Sequence, residues 1–210
     1  MRTATINSAG FLGSPQPTAA VQRLYDDDVD GLGYVMNLSR LWGHHPELHG
    51  GLFDLAGQAA HAGGLTFRQR GILITAFAAA FGDSYCSLAW GKKLAGVAGA
   101  DLAGAVLGGD DRALDPMERA LARWARKVTR QPSQTEASDI QELRDAGYDD
   151  AQIFAITTFV ALRIAFAVVN DALGARPDYE LITTVPEPVR DAVTYGRPAA
   201  DEPGEPAGGE

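Results

Sequence analysis

Residues 65–77 are LTFRQRGILITAF and residues 81–95 are FGDSYCSLAWGKKLA, and this pair of segments decides the fold. In the first segment Thr66 is a good helix N-cap, and apolar residues follow it at helical intervals. Gly82 breaks that helix, and one of the two residues after it caps a second helix that extends to about Ala95. The sequence therefore predicts two consecutive helices separated by a short break.

The same helical pattern recurs on both sides of these segments. Further helices are predicted to begin near Thr18, Tyr34, Pro46, Asp115, Ser133 and Asp149. Because no alternating apolar run with hairpin turns interrupts them, we expect an all-α multi-helix bundle with one domain over residues 18–196. Residues 1–17 hold turn-forming glycines and prolines and are predicted to be irregular. Residues 197–210 offer little apolar surface to bury and are predicted to be a disordered acidic tail.

The longest predicted helix, from a cap at Asp149 to Leu173, is apolar on nearly all sides. Such a helix is typical of the middle of a bundle or of a contact between subunits. Arg163 and several threonines interrupt its apolar run, which makes it a poor membrane span. The Arg163 guanidinium keeps its charge and needs a carboxylate, a carbonyl, water or an anionic substrate as its partner.

Composition excludes several classes of protein. The chain has 210 residues and a single cysteine, Cys86, which leaves no intrachain disulfide and no cysteine-based zinc site. With 18 basic and 27 acidic side chains the net charge is −9, which argues against nucleic-acid and anionic-membrane partners. The first residues lack the apolar core of a signal peptide, so we expect a cytoplasmic protein. His45 and His49 lie four residues apart without a third ligand, and we expect no metal and no cofactor.

The two quoted segments resemble the alkylhydroperoxidase D-like, carboxymuconolactone decarboxylase family. In that family one helix carries Arg-Glu near its start, and the next opens with Cys-x-x-Cys-x-x-x-His. The resemblance covers about residues 20–180. It implies an all-α fold, frequent assembly into oligomers, and either thiol peroxidase chemistry or lactone decarboxylation.

This sequence departs from the family at the positions that carry its chemistry. The family's Glu falls on Gly71, its two Cys on Asp83 and Cys86, and its His on Trp90. The peroxidase relay needs a thiolate, a resolving thiol and two groups that move protons, and only Cys86 of these is kept. The resemblance therefore implies the family's fold without the family's relay.

The departing residues are the candidate site. Asp83, Cys86 and Trp90 share one helix face, because offsets of three and four residues return to the same side. Asp83 and Cys86 are the candidate catalytic residues, and Gly71, Tyr85 and Trp90 are the candidate pocket residues. Simpler interpretations stay open: Asp83 as a helix cap, Cys86 as a small buried apolar residue, and the aromatic rings as core. The helix dipole and Asp83 act in opposite directions on the Cys86 thiol, so we expect an ordinary pKa and a mostly protonated thiol.

Three functions remain as hypotheses. The first is a diverged carboxymuconolactone decarboxylase-like enzyme that acts on a small organic molecule over the helix of Asp83 and Trp90, with Asp83 as acid or base. The second is a non-catalytic oligomeric binding protein. The third is a one-cysteine, peroxiredoxin-like peroxidase that uses Cys86. For the assembly we expect a homo-oligomer, either a trimer or a dimer, with no nucleic-acid or membrane partner.

Overall fold

A computed structural model describes residues 10–203, and over these residues the protein is all-α without any strand. The helices are α1 Ala19–Leu32, α2 Asn37–Trp42, α3 Pro46–Ala62, α4 Phe67–Phe81, α5 Ser84–Ala98, α6 Ala100–Leu107, α7 Pro116–Arg130, α8 Ala137–Asp145, α9 Asp150–Ala172, α10 Tyr179–Thr184 and α11 Glu187–Ala192. A short 3-10 helix, Pro132–Gln134, precedes α8. The predicted all-α multi-helix bundle is confirmed.

Helix α4 lies at the centre of the bundle. It packs against α5, α6, α7 and α9, and Ile72, Leu73 and Phe77 on it are fully buried. Helix α3 packs along α9, while α11 lies across α5 and α6. The α4/α5 pair and the α3/α9 pair are therefore joined through α4 and α9, and the candidate site lies where the two pairs face each other.

Helix starts follow the capping chemistry that the sequence predicts. Reciprocal hydrogen bonds join the cap and the third helical residue at Thr66 and Gln69, Asp115 and Glu118, and Asp149 and Gln152. Each pair satisfies two backbone donors that would otherwise lack a partner. The predictions differ from the structure mainly in short elements: α2 begins at Asn37 instead of Tyr34, and α6, α10 and α11 were not predicted. Helices of six to eight residues hold about two turns, too few for a clear apolar period.

The chain after α11 contacts the bundle at the start of the predicted acidic tail. Arg176 donates to the Pro198 carbonyl, and the Ala200 amide donates to the Pro177 carbonyl at 2.8 Å. Ala200 itself is buried. Side-chain and backbone hydrogen bonds thus hold this segment against the bundle, contacts that amino-acid composition does not report. The remainder of the predicted tail, residues 204–210, lies outside the described residues, as do residues 1–9.

Helix α9 is buried on one side only within the chain, which differs from the middle-of-the-bundle alternative and leaves the predicted contact between subunits open. Its buried side packs on α3, α4 and α7 and includes Arg163 and Asn170. Its opposite side is exposed at Ala151, Phe154, Ala161, Ala165, Val168 and Ala172. By length and composition α9 is the one helix of the described chain that could span a membrane, a test that core helices of soluble proteins also pass.

A buried carboxyl group ties the start of α5 to the segment before α10. The Asp178 side chain accepts hydrogen bonds from the Asn37 amide at 2.7 Å and from the Tyr85 hydroxyl. Burial raises the pKa of Asp178 from 3.8 to about 6, because the ionised form is poorly solvated there. The folded protein therefore binds this proton more tightly than the unfolded chain does.

We expect the Asp178→Asn variant to gain stability relative to the native protein as the pH rises from about 4 to about 7. The stability that comes from protonated Asp178 is lost as the pH rises through its folded-state pKa of about 6, whereas asparagine does not titrate. A shift from 3.8 to about 6 corresponds to about 3 kcal/mol at 1.36 kcal/mol per pH unit. Urea unfolding at several pH values measures the difference, with Asp30→Asn on the exposed side of α1 as the control. A difference that does not change with pH would contradict this assignment.

Candidate active site

Asp83 caps α5 and is completely buried. Its Oδ1 accepts from the Cys86 amide at 2.9 Å, so the cap predicted from the sequence is confirmed. Its Oδ2 is buried without a hydrogen-bond partner among the described residues. Burial raises the pKa of Asp83, an effect that the hydrogen bonds from Cys86 and the nearby Arg163 cation only partly offset. One oxygen of this carboxyl caps α5, and the other has no partner in hydrogen-bonding geometry among residues 10–203.

The chain after α11 covers the start of α5 and explains why Asp83 is buried. Ser84 Oγ donates to the Arg197 carbonyl at 2.7 Å, and Ser87 Oγ lies 3.0 Å from the Tyr195 hydroxyl. Gly196 has a φ of +74°, and a Cβ there would lie 2.6 Å from the Gly82 carbonyl oxygen. Only glycine allows this close approach, so the segment covers the cap on this side.

Cys86 is buried in the first turn of α5, beside Asp83. Arg163 Nη2 donates to its Sγ at 3.8 Å, a weak contact to a thiol. Burial raises the pKa of this thiol well above its usual range, the Asp83 carboxyl raises it further, and the Arg163 cation opposes both. The expectation of an ordinary pKa is therefore wrong, because the sequence does not report burial. The thiol is held in its protonated form.

Arg163 is a buried cation without a carboxylate partner. It is 3% exposed, and no carboxylate among residues 10–203 lies within 4.0 Å of its guanidinium. Its Nε is also buried, and no atom of residues 10–203 accepts a hydrogen bond from it. Its Cζ lies 5.3 Å from the ring centre of Phe53, 5.7 Å from that of Trp90 and 5.1 Å from that of Phe166. Three aromatic rings thus surround the Arg163 guanidinium, and its Nε–H group still lacks an acceptor.

The side chains around Arg163 lead outwards to solvent. Lys93 is exposed along its side chain, and its Nζ lies 4.8 Å from the ring centre of half-buried Trp90. Partial desolvation of the amine against its neighbours, together with the Arg163 cation, lowers the pKa of Lys93. Across the site the His49 ring packs at a tilt of 42° against the Phe53 ring, with the ring centres 4.6 Å apart. Burial lowers the pKa of His49, and the Arg163 cation lowers it further. His49 is therefore held neutral, and the fixed positive charge of the site lies on Arg163.

The structure brings together three of the five candidate site residues, namely Asp83, Cys86 and Trp90. Gly71 faces α5 elsewhere: a Cβ there would lie 3.2 Å from Leu94 Cδ1, so the space left by the missing side chain is filled. The Tyr85 hydroxyl is engaged by Asp178 and is not part of this cluster.

The histidines do not form a metal site. His45 is exposed beside Glu47, away from the rings that contact His49. No group of three histidine, cysteine or carboxylate side chains within residues 10–203 could hold a metal ion.

Sequence reasoning missed Lys93, Phe53 and Phe166 as members of the site. Helical spacing is the sequence feature that could have indicated them. Lys93 follows Trp90 by three residues and Phe166 follows Arg163 by three, while Phe53 follows His49 by four. Each pair shares a helix face, but such pairs are usually core packing, so spacing alone does not identify a site. Only the meeting of α3, α5 and α9 around Arg163 distinguishes them.

Together these groups form a compact chemical unit. A carboxyl group with a raised pKa is a suitable proton donor or acceptor, a buried guanidinium binds negative charge, and aromatic faces hold a planar or apolar body. The carboxyl, the thiol and the cation come from α5 and α9, which the bundle holds in fixed positions through α4.

Comparison with known proteins shows which solved structures share this fold. No protein-family model matches the sequence, and no curated protein matches it. Among solved structures it is similar to the alkylhydroperoxidase AhpD core of an uncharacterised peroxidase-related protein from Ralstonia eutropha JMP134, with 23% identity, a TM-score of 0.73, and coverage of 82% of this chain and 94% of that one.

Two further structures are similar to this chain. An uncharacterised peroxidase-related protein from Silicibacter sp. TM1040 has 18% identity and a TM-score of 0.73, over 85% of this chain and 97% of that one. A variant of the debrominase Bmp8 in complex with 2,3,4-tribromopyrrole has 14% identity and a TM-score of 0.65, over 87% of this chain and 95% of that one. The chain therefore has the all-α fold of alkylhydroperoxidase D and the carboxymuconolactone decarboxylases.

Proposed function

We propose that this protein is a diverged carboxymuconolactone decarboxylase-like enzyme that acts on a small organic molecule beside Asp83, Cys86 and Arg163. Asp83 is the acid or base: in its protonated form it gives a proton to the substrate, and as the carboxylate it takes one back. Cys86 lies beside it as a protonated thiol and is not the nucleophile in this proposal.

The observation that carries the proposal is the unpartnered Oδ2 of a fully buried Asp83. An N-cap needs only one oxygen, and burying a second without a partner costs stability, a cost that is typical of groups kept for another use. Arg163, the cation whose charge acts to lower the pKa of Asp83, has a buried Nε without a partner. A ligand that reaches both groups would complete their hydrogen bonds.

The structural neighbours support an enzyme-like fold, and one of them binds a small heteroaromatic ring, 2,3,4-tribromopyrrole. The alternative, a non-catalytic oligomeric binding protein, rests on the same unsatisfied donors, since they would also hold a ligand that is not converted. A peroxidase that uses Cys86 has weaker support, because the buried thiol beside Asp83 is a poor source of thiolate.

Asp83→Asn tests the proposal. Asparagine keeps the oxygen that accepts from the Cys86 amide, so the cap is retained, but the amide cannot transfer a proton. We expect this variant to fold like the native protein and to lose about 10²–10⁴-fold in turnover of whichever compound the native protein converts. The measurement is mass spectrometry of a library of small aromatic and alicyclic compounds incubated with each protein. Conversion by both proteins at equal rates would make Asp83 a cap only, and binding without conversion by the native protein would favour the binding-protein alternative.

The proposal includes a homo-oligomer, a dimer or a trimer, located in the cytoplasm. Its support is the exposed side of α9, where Ala151, Phe154, Ala161, Ala165, Val168 and Ala172 recur at helical intervals. Phe154 is 75% exposed, and an apolar seam of this kind is typical of helix association. Light scattering at micromolar concentration should give more than one chain for the native protein and a lower mass for Phe154→Glu. A native monomer would contradict the proposal.

A further inference from the structure

We infer that the ligand of this site is a small aromatic carboxylate, bound through its anionic group by Arg163. This inference rests on the proposed function for its location and deepens it by naming the class of ligand. The site supplies a cation, donors without partners and aromatic walls, and each of these selects a different feature of the ligand.

The charge of the ligand follows from Arg163. A buried guanidinium is usually paired with a carboxylate, yet the described chain places none within 4.0 Å of this one. Its Nε is buried without a partner, and its contact with the Cys86 sulfur at 3.8 Å is a weak hydrogen bond. Because guanidinium is planar and binds carboxylates through two parallel hydrogen bonds, the missing partner is best supplied by a carboxylate.

The other ionisable groups near Arg163 also favour an anionic ligand. Lys93, three residues beyond Trp90, contributes a second cationic group at the solvent side of the cluster, 4.8 Å from the Trp90 ring centre. Asp83 is the acidic group of the site, and burial raises its pKa, which disfavours the charged form that would repel an anion. In a chain of net charge −9, the local excess of positive charge is distinctive.

The aromatic part of the ligand is inferred from the three rings around Arg163. Phe53, Trp90 and Phe166 each lie within 5.7 Å of the Arg163 Cζ, measured to the ring centre. Phe166 is buried and stacked on Trp42, so the ring surface that a ligand can cover belongs to Phe53 and Trp90. An aromatic acid packs on these two rings while its carboxylate meets the guanidinium, whereas an aliphatic or highly hydrated anion leaves them uncovered. Half-buried Phe53 and Trp90 place these faces at the solvent side of the site.

Benzoate is the probe, and benzamide and acetate are its controls. Benzamide has the same shape without the charge, and acetate has the charge without the ring. We expect benzoate to raise the melting temperature of the native protein and to bind at least about tenfold more tightly than either control, as measured by calorimetry. Arg163→Met should lose this preference, while Arg123→Met, which removes an exposed arginine paired with Glu142, should keep it.

The outcomes separate this inference from the proposed function. Asp83→Asn should still bind benzoate, because the cation and the rings are intact, even though turnover is lost. Equal binding of benzoate and benzamide, unchanged benzoate binding by Arg163→Met, or no benzoate binding at tens of millimolar would overturn the inference. Conversion of a neutral compound by a protein that does not bind benzoate would overturn it too, while leaving the enzyme proposal standing.

Discussion

The Arg163→Met variant should be more stable than the native protein, by about 1–4 kcal/mol in free energy of unfolding. Arg163 is 3% exposed and has no carboxylate within 4.0 Å among residues 10–203, so the fold holds a buried cation without a salt bridge. Methionine has a similar length and packs readily against Phe53 and Phe166. Removal of the charge therefore relieves a desolvation penalty and keeps most of the apolar contact.

Urea unfolding measures this difference, and Arg123→Met is the matched control. Arg123 forms an exposed ion pair with Glu142 at 2.8 Å, and removing such a pair changes stability by about 1 kcal/mol or less. If Arg163→Met were instead destabilised by more than the control, Arg163 would be a structural residue satisfied by its present surroundings. A gain in stability together with a loss of benzoate binding would identify a residue that is retained for its ligand at the expense of the fold.

The Gly104→Ala variant should be less stable than the native protein by about 1–3 kcal/mol. Gly104 lies in α6 under α11, and a Cβ there would lie 2.6 Å from the Pro188 carbonyl oxygen and 3.0 Å from its carbon. The obstacle is backbone, which cannot rotate away, so α11 would have to move off α6. The fully buried Val189 of α11 would then lose part of its packing.

Gly96→Ala is the control for this prediction. Gly96 lies in α5, and no atom lies within 4 Å of the position that a Cβ would take there, so alanine should raise stability by about 0.5–1 kcal/mol through helix propensity alone. Thermal or urea unfolding of the two variants gives opposite signs if close packing of α11 is the cause. A stabilised Gly104→Ala would show that α11 adjusts its position without loss.

Much of the fold was accessible from local chemistry. The caps at Thr66, Asp83 and Asp149 were predicted because capping depends on the residue type and its near neighbours in sequence. The short α6, α10 and α11 were not, because two turns give no clear period and their positions depend on contacts with α5 and α6. The contacts of residues 197–203 depend on tertiary structure too: the Arg176 side chain donates to the Pro198 carbonyl and the Ala200 amide donates to the Pro177 carbonyl, and composition does not reveal such bonds.

For the candidate site too, some features could be predicted from the sequence and others depend on tertiary packing. Asp83, Cys86 and Trp90 follow from one helix face, since helical spacing is a property of the sequence. Gly71 was expected in the pocket, but Leu94 fills the space beside it, and that contact joins two helices. The Cys86 pKa was expected to be ordinary because the sequence shows the dipole and Asp83 but not the burial that dominates.

Local sequence was enough to fix the helical class, the principal helix caps and the shared helix face of Asp83, Cys86 and Trp90, because each of these depends on interactions within a few residues of the chain. The tertiary structure alone decided that Arg163 of α9, Cys86 of α5 and Phe53 of α3 meet in one place. It also decided that Asp83 keeps an unpartnered oxygen and that Arg163 has no carboxylate within reach in the described chain. Burial and pairing are properties of groups brought together from distant parts of the chain, so they can be read only after the helices have packed.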